Sequence, residues 1–192
     1  LLGILVMGLC LITPSQADDI SEFEIEGMSV GDSLLNYMNN SEIKKNYLNQ
    51  YHGKSKFISI NYPKTTIYDH LYIYTKRNDA NYKIYVLRGM FKIKNKKSCL
   101  KKMSEIEKEM KLLFSTATFQ DGKRKHYYYK NSTQYISQFS YGKDARYSPG
   151  ARVECSMISK KEQEKYNVFP TLDVIIQYHG DFGRWLDSGD AY

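Results

Sequence analysis

Long apolar runs are missing from this sequence of 192 residues. The longest stands at residues 1–12, and the helix-breaking pair Thr13 and Pro14 ends it. Because a helix needs about 20 apolar residues to cross a bilayer, this run is too short to span one. We therefore expect no transmembrane segment in the mature chain.

Acidic and basic side chains are also missing from residues 1–17. Ser15 and Ala17 place small residues where signal peptidase requires them, and Asp18 then opens a polar chain. The basic start that normally precedes such an apolar run does not appear. The pattern predicts a signal peptide over residues 1–17, truncated at its N-terminus, and export to the periplasm or the extracellular space.

Cysteine is scarce, with three in the chain. Cys10 lies in the predicted leader and offers an alternative, a lipid anchor, although Leu9 stands where a lipid-attachment site has Gly, Ala or Ser. The mature chain keeps Cys99 and Cys155, and in an oxidising compartment such a pair is most simply a disulfide. The bridge would close a loop of about 55 residues and stabilise the fold by about 3–4 kcal/mol. Two buried free thiols are the alternative.

No stretch rich in Pro, Ser or Gly divides residues 18–192, which predicts a single domain. Acidic residues are outnumbered, since 28 Lys and Arg oppose 21 Asp and Glu and give a net charge of +7. A basic surface is typical of proteins that bind nucleic acid, anionic lipid or an acidic polymer. The alternative is codon bias, because AT-rich codons favour the Lys, Asn, Ile and Tyr that are abundant here.

Motifs for catalysis and metal binding are missing. The four histidines are His52, His70, His126 and His179. None of them is spaced four residues from a second ligand on a helix, and neither an HExxH nor a C-x-x-C pattern nor a glycine-rich phosphate loop occurs. Residues 179–181 (His-Gly-Asp) are the most site-like trio, with a capped helix start as the alternative, and Ser33 lacks the final Gly of a nucleophile elbow. We predict no catalytic residue, no metal and no cofactor, nucleotides included.

Apolar periodicity predicts the fold class. Turn residues separate several strand-like segments, some of which alternate with a period of two. Residues 82–93 are predicted as a long strand and residues 171–178 as the last one. The clearest helix is predicted to begin after an N-cap at Ser98. Its apolar stripe consists of Cys99, Met103, Ile106, Met110 and Leu113.

Shorter helices are predicted at both ends of the mature chain. At the N-terminus we expect a pair, the first capped by Ser29 and the second starting at Ser41. Near the C-terminus we expect one helix anchored by Trp185. The prediction is therefore an α+β fold: an antiparallel sheet of about six to eight strands packed on one long amphipathic helix, with a short N-terminal helix pair and a short C-terminal helix.

Two resemblances follow from these residues. Residues 23–35, the Lys-rich helix with one Cys, and the ending at 185–192 resemble a group of small secreted bacterial proteins of unknown function. Residues 27–29 (Gly-Met-Ser), followed by a short helix, are similar to the opening of SmpA/BamE-type outer-membrane assembly lipoproteins and of β-lactamase inhibitor proteins. The second resemblance covers about ten residues, without the lipid-attachment Cys or a second repeat, and implies a helix–sheet module that acts by contact rather than catalysis.

One segment, residues 123–130, combines basic and aromatic side chains. The candidate anionic-ligand-binding residues in it are Lys123, Arg124, Lys125, Tyr127 and Tyr129. Basic side chains neutralise phosphate or carboxylate groups, and tyrosines stack on bases or lie against sugar rings. A second basic stretch at residues 92–102 flanks the predicted helix. The alternative is a solvated edge strand whose lysines discourage edge-to-edge pairing.

Three hypotheses for function follow. The first is an exported, non-catalytic domain that acts by contact with an envelope component or another protein. The second is a binder of an anionic polymer or surface, such as a glycan, a lipid headgroup or extracellular nucleic acid, through the hairpin at residues 123–130. The third is a hydrolase whose site residues come from distant parts of the chain.

Overall fold

The computed structural model describes residues 20–48, 55–144, 147–178 and 181–187. The strands in them are β1 (Glu24–Ile25), β2 (Met28–Ser29), β3 (Tyr47–Leu48), β4 (Phe57–Asn61), β5 (His70–Lys76), β6 (Ile84–Lys92), β7 (Thr118–Lys125), β8 (Thr133–Ser140), β9 (Gly150–Met157) and β10 (Thr171–Gln177). The helices are α1 (Asn40–Lys45), α2 (Lys96–Leu113), α3 (Lys160–Tyr166) and α4 (Asp181–Asp187), with 3-10 turns at Ile20–Glu22 and Leu34–Asn36. The predicted signal peptide lies outside the described residues.

Strands β3 to β10 form one antiparallel sheet in the order β3-β4-β5-β6-β10-β9-β8-β7. Most strands lie beside their neighbours in sequence, because short connections favour hairpins. The exception is the step from β6 to β7, since β10, β9 and β8 lie between these two strands in the sheet. The predicted α+β class with a large antiparallel sheet is confirmed, and β3 and β7 form the two edges of the sheet.

Helix α2 packs on β9 and β10, on one face of the sheet. Its buried side chains are Cys99, Met103, Ile106 and Met110. Intervals of four and three residues place them on one side of the helix, where they exclude water from the sheet. Cys99 and Cys155 lie at disulfide distance, with their Cα atoms 6.0 Å apart, as the sequence predicts. The bridge therefore joins the first turn of α2 to β9.

Helix α4 covers part of the opposite face, over β4, β5 and β6. Phe182 and Trp185 of this helix lie against Phe57, with ring centroids 5.4 and 5.3 Å from it. Phe182 also contacts Tyr74, at 4.7 Å between centroids. Phe57 is completely buried in this aromatic cluster.

The predicted N-terminal helix pair is not formed. Ser29, predicted as the first N-cap, belongs to β2, and Gly31 follows with φ of +99°, a conformation that glycine adopts with little strain. The amide of Gly31 donates to the carbonyl of Ile84, and the amide of Ile84 donates to Asp32. These bonds hold residues 31 and 32 against the start of β6, so the segment cannot form the predicted helix.

The second predicted helix does form, as α1, but it begins at Asn40. Asn39 is its N-cap and accepts a hydrogen bond from the amide of Glu42 at 2.9 Å. The Glu42 carboxylate accepts one from the amide of Asn39, also at 2.9 Å. This reciprocal pair is a capping box, and it satisfies two amides that the first helical turn leaves unpaired.

Candidate anion-binding surface

The candidate hairpin consists of β7 and β8, at one edge of the sheet. Side chains alternate between the two faces of a strand. Tyr135 of β8 shares a face with its partner Cys155, which is bridged to α2, and Lys123 is paired with Tyr135. Lys123 and Lys125 therefore lie on the α2 side of the sheet, and Arg124 lies on the other side.

Arg124 is engaged by other side chains of the sheet. Its Nε donates to the side-chain oxygen of Gln134 at 3.0 Å, and its guanidinium lies 3.5 Å from the buried carboxylate of Glu154. Arg152 pairs with the same carboxylate at 2.8 Å. Two guanidinium groups thus share one buried carboxylate, which holds both of them on this face of the sheet.

The tyrosines lie beyond the end of β7, in the turn of the hairpin. Tyr127 is 66% exposed and packs edge-on against Tyr128, with 5.0 Å between ring centroids. Tyr129 lies against His126 at 4.7 Å and against Tyr166 of α3 at 5.6 Å. The rings form one aromatic cluster at the tip of the hairpin, and Tyr127 is its most exposed member.

His126 holds the turn as a neutral acceptor. Its Nδ1 accepts hydrogen bonds from the amides of Tyr128 and Tyr129, at 3.1 and 3.3 Å. Burial lowers the pKa of His126, which favours the uncharged ring that can accept. The role of His126 in this structure is therefore to fix the backbone of the turn.

Helix α3 anchors the other end of the turn through Glu162. The Glu162 carboxylate accepts from the amide of Asn131 at 3.1 Å and from the hydroxyls of Ser132 and Ser159. Burial raises the pKa of Glu162, but these hydrogen bonds outweigh it, and the pKa lies below its usual value. The turn is thus fixed at both ends, which preorganises the tyrosine cluster.

The structure adds one residue that the sequence did not single out, Lys96 at the start of α2. Its ammonium lies 5.0 Å from the centre of the Tyr135 ring, and that of Lys123 lies 5.9 Å from the same centre. A hydrogen bond from Lys96, helped by the charges of Lys96 and Lys123, lowers the pKa of the Tyr135 phenol. The two basic stretches of the sequence therefore meet around one tyrosine ring.

This meeting point lies at a cleft of about 380 Å³ between α2 and the hairpin. Six of the residues that line it are Leu100, Met103, Glu107, Lys123, Tyr135 and Ser137. Glu107 accepts a hydrogen bond from Ser137 at 2.7 Å and pairs with Lys111, so its charge is met within the wall of the cleft. Lys123, which also lines the cleft, is exposed to solvent.

The five predicted binding residues do not form one site. Lys123 and Lys125 lie beside the cleft, Arg124 lies on the opposite face, and Tyr127 and Tyr129 lie at the hairpin tip. Strand alternation separates the first three, and the end of β7 separates the tyrosines from them. The structure brings two lysines, Lys96 and Lys123, together around Tyr135.

The other motifs examined for chemistry have structural roles or lie outside the described residues. His179 and Gly180 of the His-Gly-Asp trio, and His52, are not among the described residues. Ser33 caps a 3-10 turn, and its hydroxyl donates to the carbonyl of Asn81 at 2.6 Å. Across residues 20–48, 55–144, 147–178 and 181–187, no three His, Cys, Asp or Glu side chains converge as metal ligands do.

In the same part of the chain, every helix is too short or too polar to cross a membrane. Comparisons of the chain with protein-family models, with curated proteins and with solved structures gave no match.

Proposed function

We propose that this protein is an exported binding domain that recognises an anionic polymer of the cell envelope or its surroundings by contact. The observation that carries the proposal is the convergence of Lys96 and Lys123 on Tyr135. The sequence separates these lysines by 27 residues (123 minus 96), and the packing of α2 beside the hairpin brings both within 6 Å of one ring.

Electrostatics favours an anion at this point. The ammonium groups of Lys96 and Lys123 attract a phosphate or carboxylate group, and the Tyr135 hydroxyl beside Lys96 offers a hydrogen-bond donor. Lys125 extends the positive charge along β7 toward the exposed ring of Tyr127. A polymer with repeated anionic groups would contact several of these positions at once, which raises its affinity over that of a single anion.

Export is supported by the leader-like residues 1–17 and by the cysteine pair, since disulfides are stable outside the reducing cytoplasm. Contact rather than catalysis is supported by the roles of Ser33 and His126, which are both occupied in fixing turns.

Binding to polyphosphate, measured by biolayer interferometry across a series of salt concentrations, tests the proposal. We expect the double substitution Lys96→Glu and Lys123→Glu to weaken binding at least tenfold. We also expect it to reduce the slope of log affinity against log salt by about 2, one for each lost contact.

The chain offers a matched control in Lys44→Glu with Lys45→Glu. Both residues are exposed on α1, which leads directly into β3 at the opposite edge of the sheet. The control changes the net charge by the same amount. Equal losses in the two variants would mean that overall charge, and not the cleft, governs binding, and the proposal would be wrong.

A further inference from the structure

We propose that β7 binds an extended acidic polypeptide segment, which adds to the sheet as a further antiparallel strand. This inference rests on the proposed function, because it names the chemical class of the anionic ligand. Strand addition to an open sheet edge is a general mode of peptide recognition, in which backbone hydrogen bonds give affinity and alternate side chains give specificity.

The two edges of the sheet differ in the way that this proposal requires. At one edge, β3 has two residues, and such a short strand protects an edge from pairing. At the other edge, β7 pairs with β8 in one unbroken register over eight residues and contains no proline. Seven of its eight residues are exposed, and the eighth, Phe119, is half-buried. The β7 edge is thus long and regular enough to serve as a template.

Hydrogen bonding in the hairpin shows which backbone groups of β7 point outward. The amide of His126 donates to the carbonyl of Ser132, so this pair is hydrogen-bonded across the hairpin. Such pairs alternate with non-bonded pairs along an antiparallel ladder. The even-numbered residues of β7 therefore bond to β8, and Asp121, Lys123 and Lys125 direct their N–H and C=O groups away from it.

The charges of β7 favour acidic side chains at alternate positions of the added strand. Lys123 and Lys125 lie on the α2 side, and Lys96 stands beside them across the Tyr135 ring. In an antiparallel pair, the residue opposite Lys123 places its side chain on the same face. On the other face Arg124 is already paired with Glu154. An acidic residue at every second position would therefore meet unpaired ammonium groups on the α2 side.

The first experiment leaves the protein unchanged and uses a capped peptide of four Glu-Val repeats. In the proposed arrangement the Glu residues lie opposite Lys123 and Lys125, and their amides face β7. We expect N-methylation of the Glu amides to weaken binding at least tenfold, since it removes those donors. N-methylation of the Val amides, which face away, should weaken binding less than threefold at the same peptide charge.

A second experiment uses two variants of Asp121, whose amide points outward and whose charge opposes an acidic ligand. Asp121→Asn should bind the Glu-Val peptide two- to threefold more tightly than wild type. Asp121→Pro removes the same charge but also the outward N–H, at an edge position where proline is tolerated, and should bind at least tenfold more weakly than Asp121→Asn. The two variants should bind polyphosphate equally, which also verifies that Asp121→Pro is folded.

The outcomes separate this inference from the function on which it rests. If polyphosphate and peptide both bind, but neither N-methylation nor Asp121→Pro weakens the peptide, strand addition is wrong and the anionic surface stands. If neither ligand binds, both proposals fail. If wild type sediments as a dimer that Asp121→Pro converts to a monomer, the β7 edge is filled by a second copy of the chain, which also overturns the acidic occupant.

Discussion

The face of the sheet that lies away from α2 has two halves, which differ in the kind of side chain that covers them. Over β4, β5 and β6, the aromatic cluster under α4 excludes water around Phe57 and Trp185. Beside this cluster, charged side chains from β6, β10, β9 and β7 cover the same face in pairs. Those pairs are Arg88 with Asp173 at 2.9 Å, Arg152 with Glu154 at 2.8 Å and Arg124 with Glu154 at 3.5 Å.

Because of this difference, we expect stability and ligand binding to depend on different parts of the molecule. Apolar burial stabilises a fold roughly in proportion to the area removed from water, whereas a buried ion pair regains little more than its desolvation costs. The aromatic half is therefore expected to supply most of the stability of this face. In the paired half the arginines are held by carboxylates of the same face. The lysines Lys96 and Lys123 lie on the α2 side, around Tyr135.

The largest effect is expected from Phe57→Ala in the aromatic half. The substitution leaves a cavity among Tyr85, Phe182 and Trp185, whose rings all contact Phe57. Truncation of a buried Phe costs about 3–5 kcal/mol, and urea unfolding would measure it. A loss below about 1 kcal/mol would mean that α4 does not stabilise this half, and the comparison between the halves would be broken.

A smaller effect is expected from Asp173→Asn in the paired half. Asp173 is 1% exposed, and its charge is what raises the pKa of Arg88 against the opposing effect of burial. Removing the charge leaves Arg88 without its partner. Because 35% of the Arg88 side chain is exposed, water offsets part of the loss, and we expect about 2 kcal/mol rather than the larger cost of a fully buried orphan.

The matched control replaces both partners, as Arg88→Met with Asp173→Leu. Since no charge is then left unpaired, we expect the double variant to unfold within about 1 kcal/mol of wild type. The same urea titration measures it. If the double variant were as unstable as Asp173→Asn, the ion pair itself would stabilise this half. Apolar burial would then not be the main source of stability of this face.

Sequence periodicity predicted the strands better than the helix ends. The strand predicted over residues 171–178 is β10, Thr171–Gln177. The long strand predicted over residues 82–93 is β6, Ile84–Lys92. The start of α2 was placed too late. Asn95, and not Ser98, is the N-cap, and it accepts from the amide of Ser98 at 3.0 Å. Asn and Ser both cap helices. Lys96 and Lys97, which lie between the two candidates, are not apolar, so the apolar stripe does not show that the helix already includes them.

Helix α3 was not predicted, because its sequence carries no apolar stripe. The single side chain that it buries is a carboxylate, Glu162. One local signal was available, since Ser159 followed by Glu162 has the spacing of a capping box. That spacing is short and common, and the buried role of Glu162 depends on the hairpin turn, which lies about 30 residues earlier in the chain.

The candidate site was predicted only in part. Composition identified Lys123 and Lys125, but a basic run on a strand is divided between two faces, so Arg124 had to lie apart from them. Lys96 could not be assigned to the site because its position depends on how α2 packs against the hairpin. That packing depends on tertiary contacts, namely the disulfide and the buried apolar stripe of α2.

The smallest expected effect concerns Glu162, which joins α3 to the hairpin turn beside the paired half. Its folded pKa lies below its unfolded value of about 4.3, so its contribution to stability is present above that pH and is lost as pH falls through the folded pKa. We expect Glu162→Gln to unfold at a lower urea concentration than wild type at pH 7. The difference between the two urea midpoints should shrink as the pH falls below about 4. Glu164→Gln, an exposed neighbour on α3, should match wild type at both pH values. A gap that stayed constant down to pH 3 would mean that Glu162 acts by packing and not by its charge, and the turn would not depend on this anion.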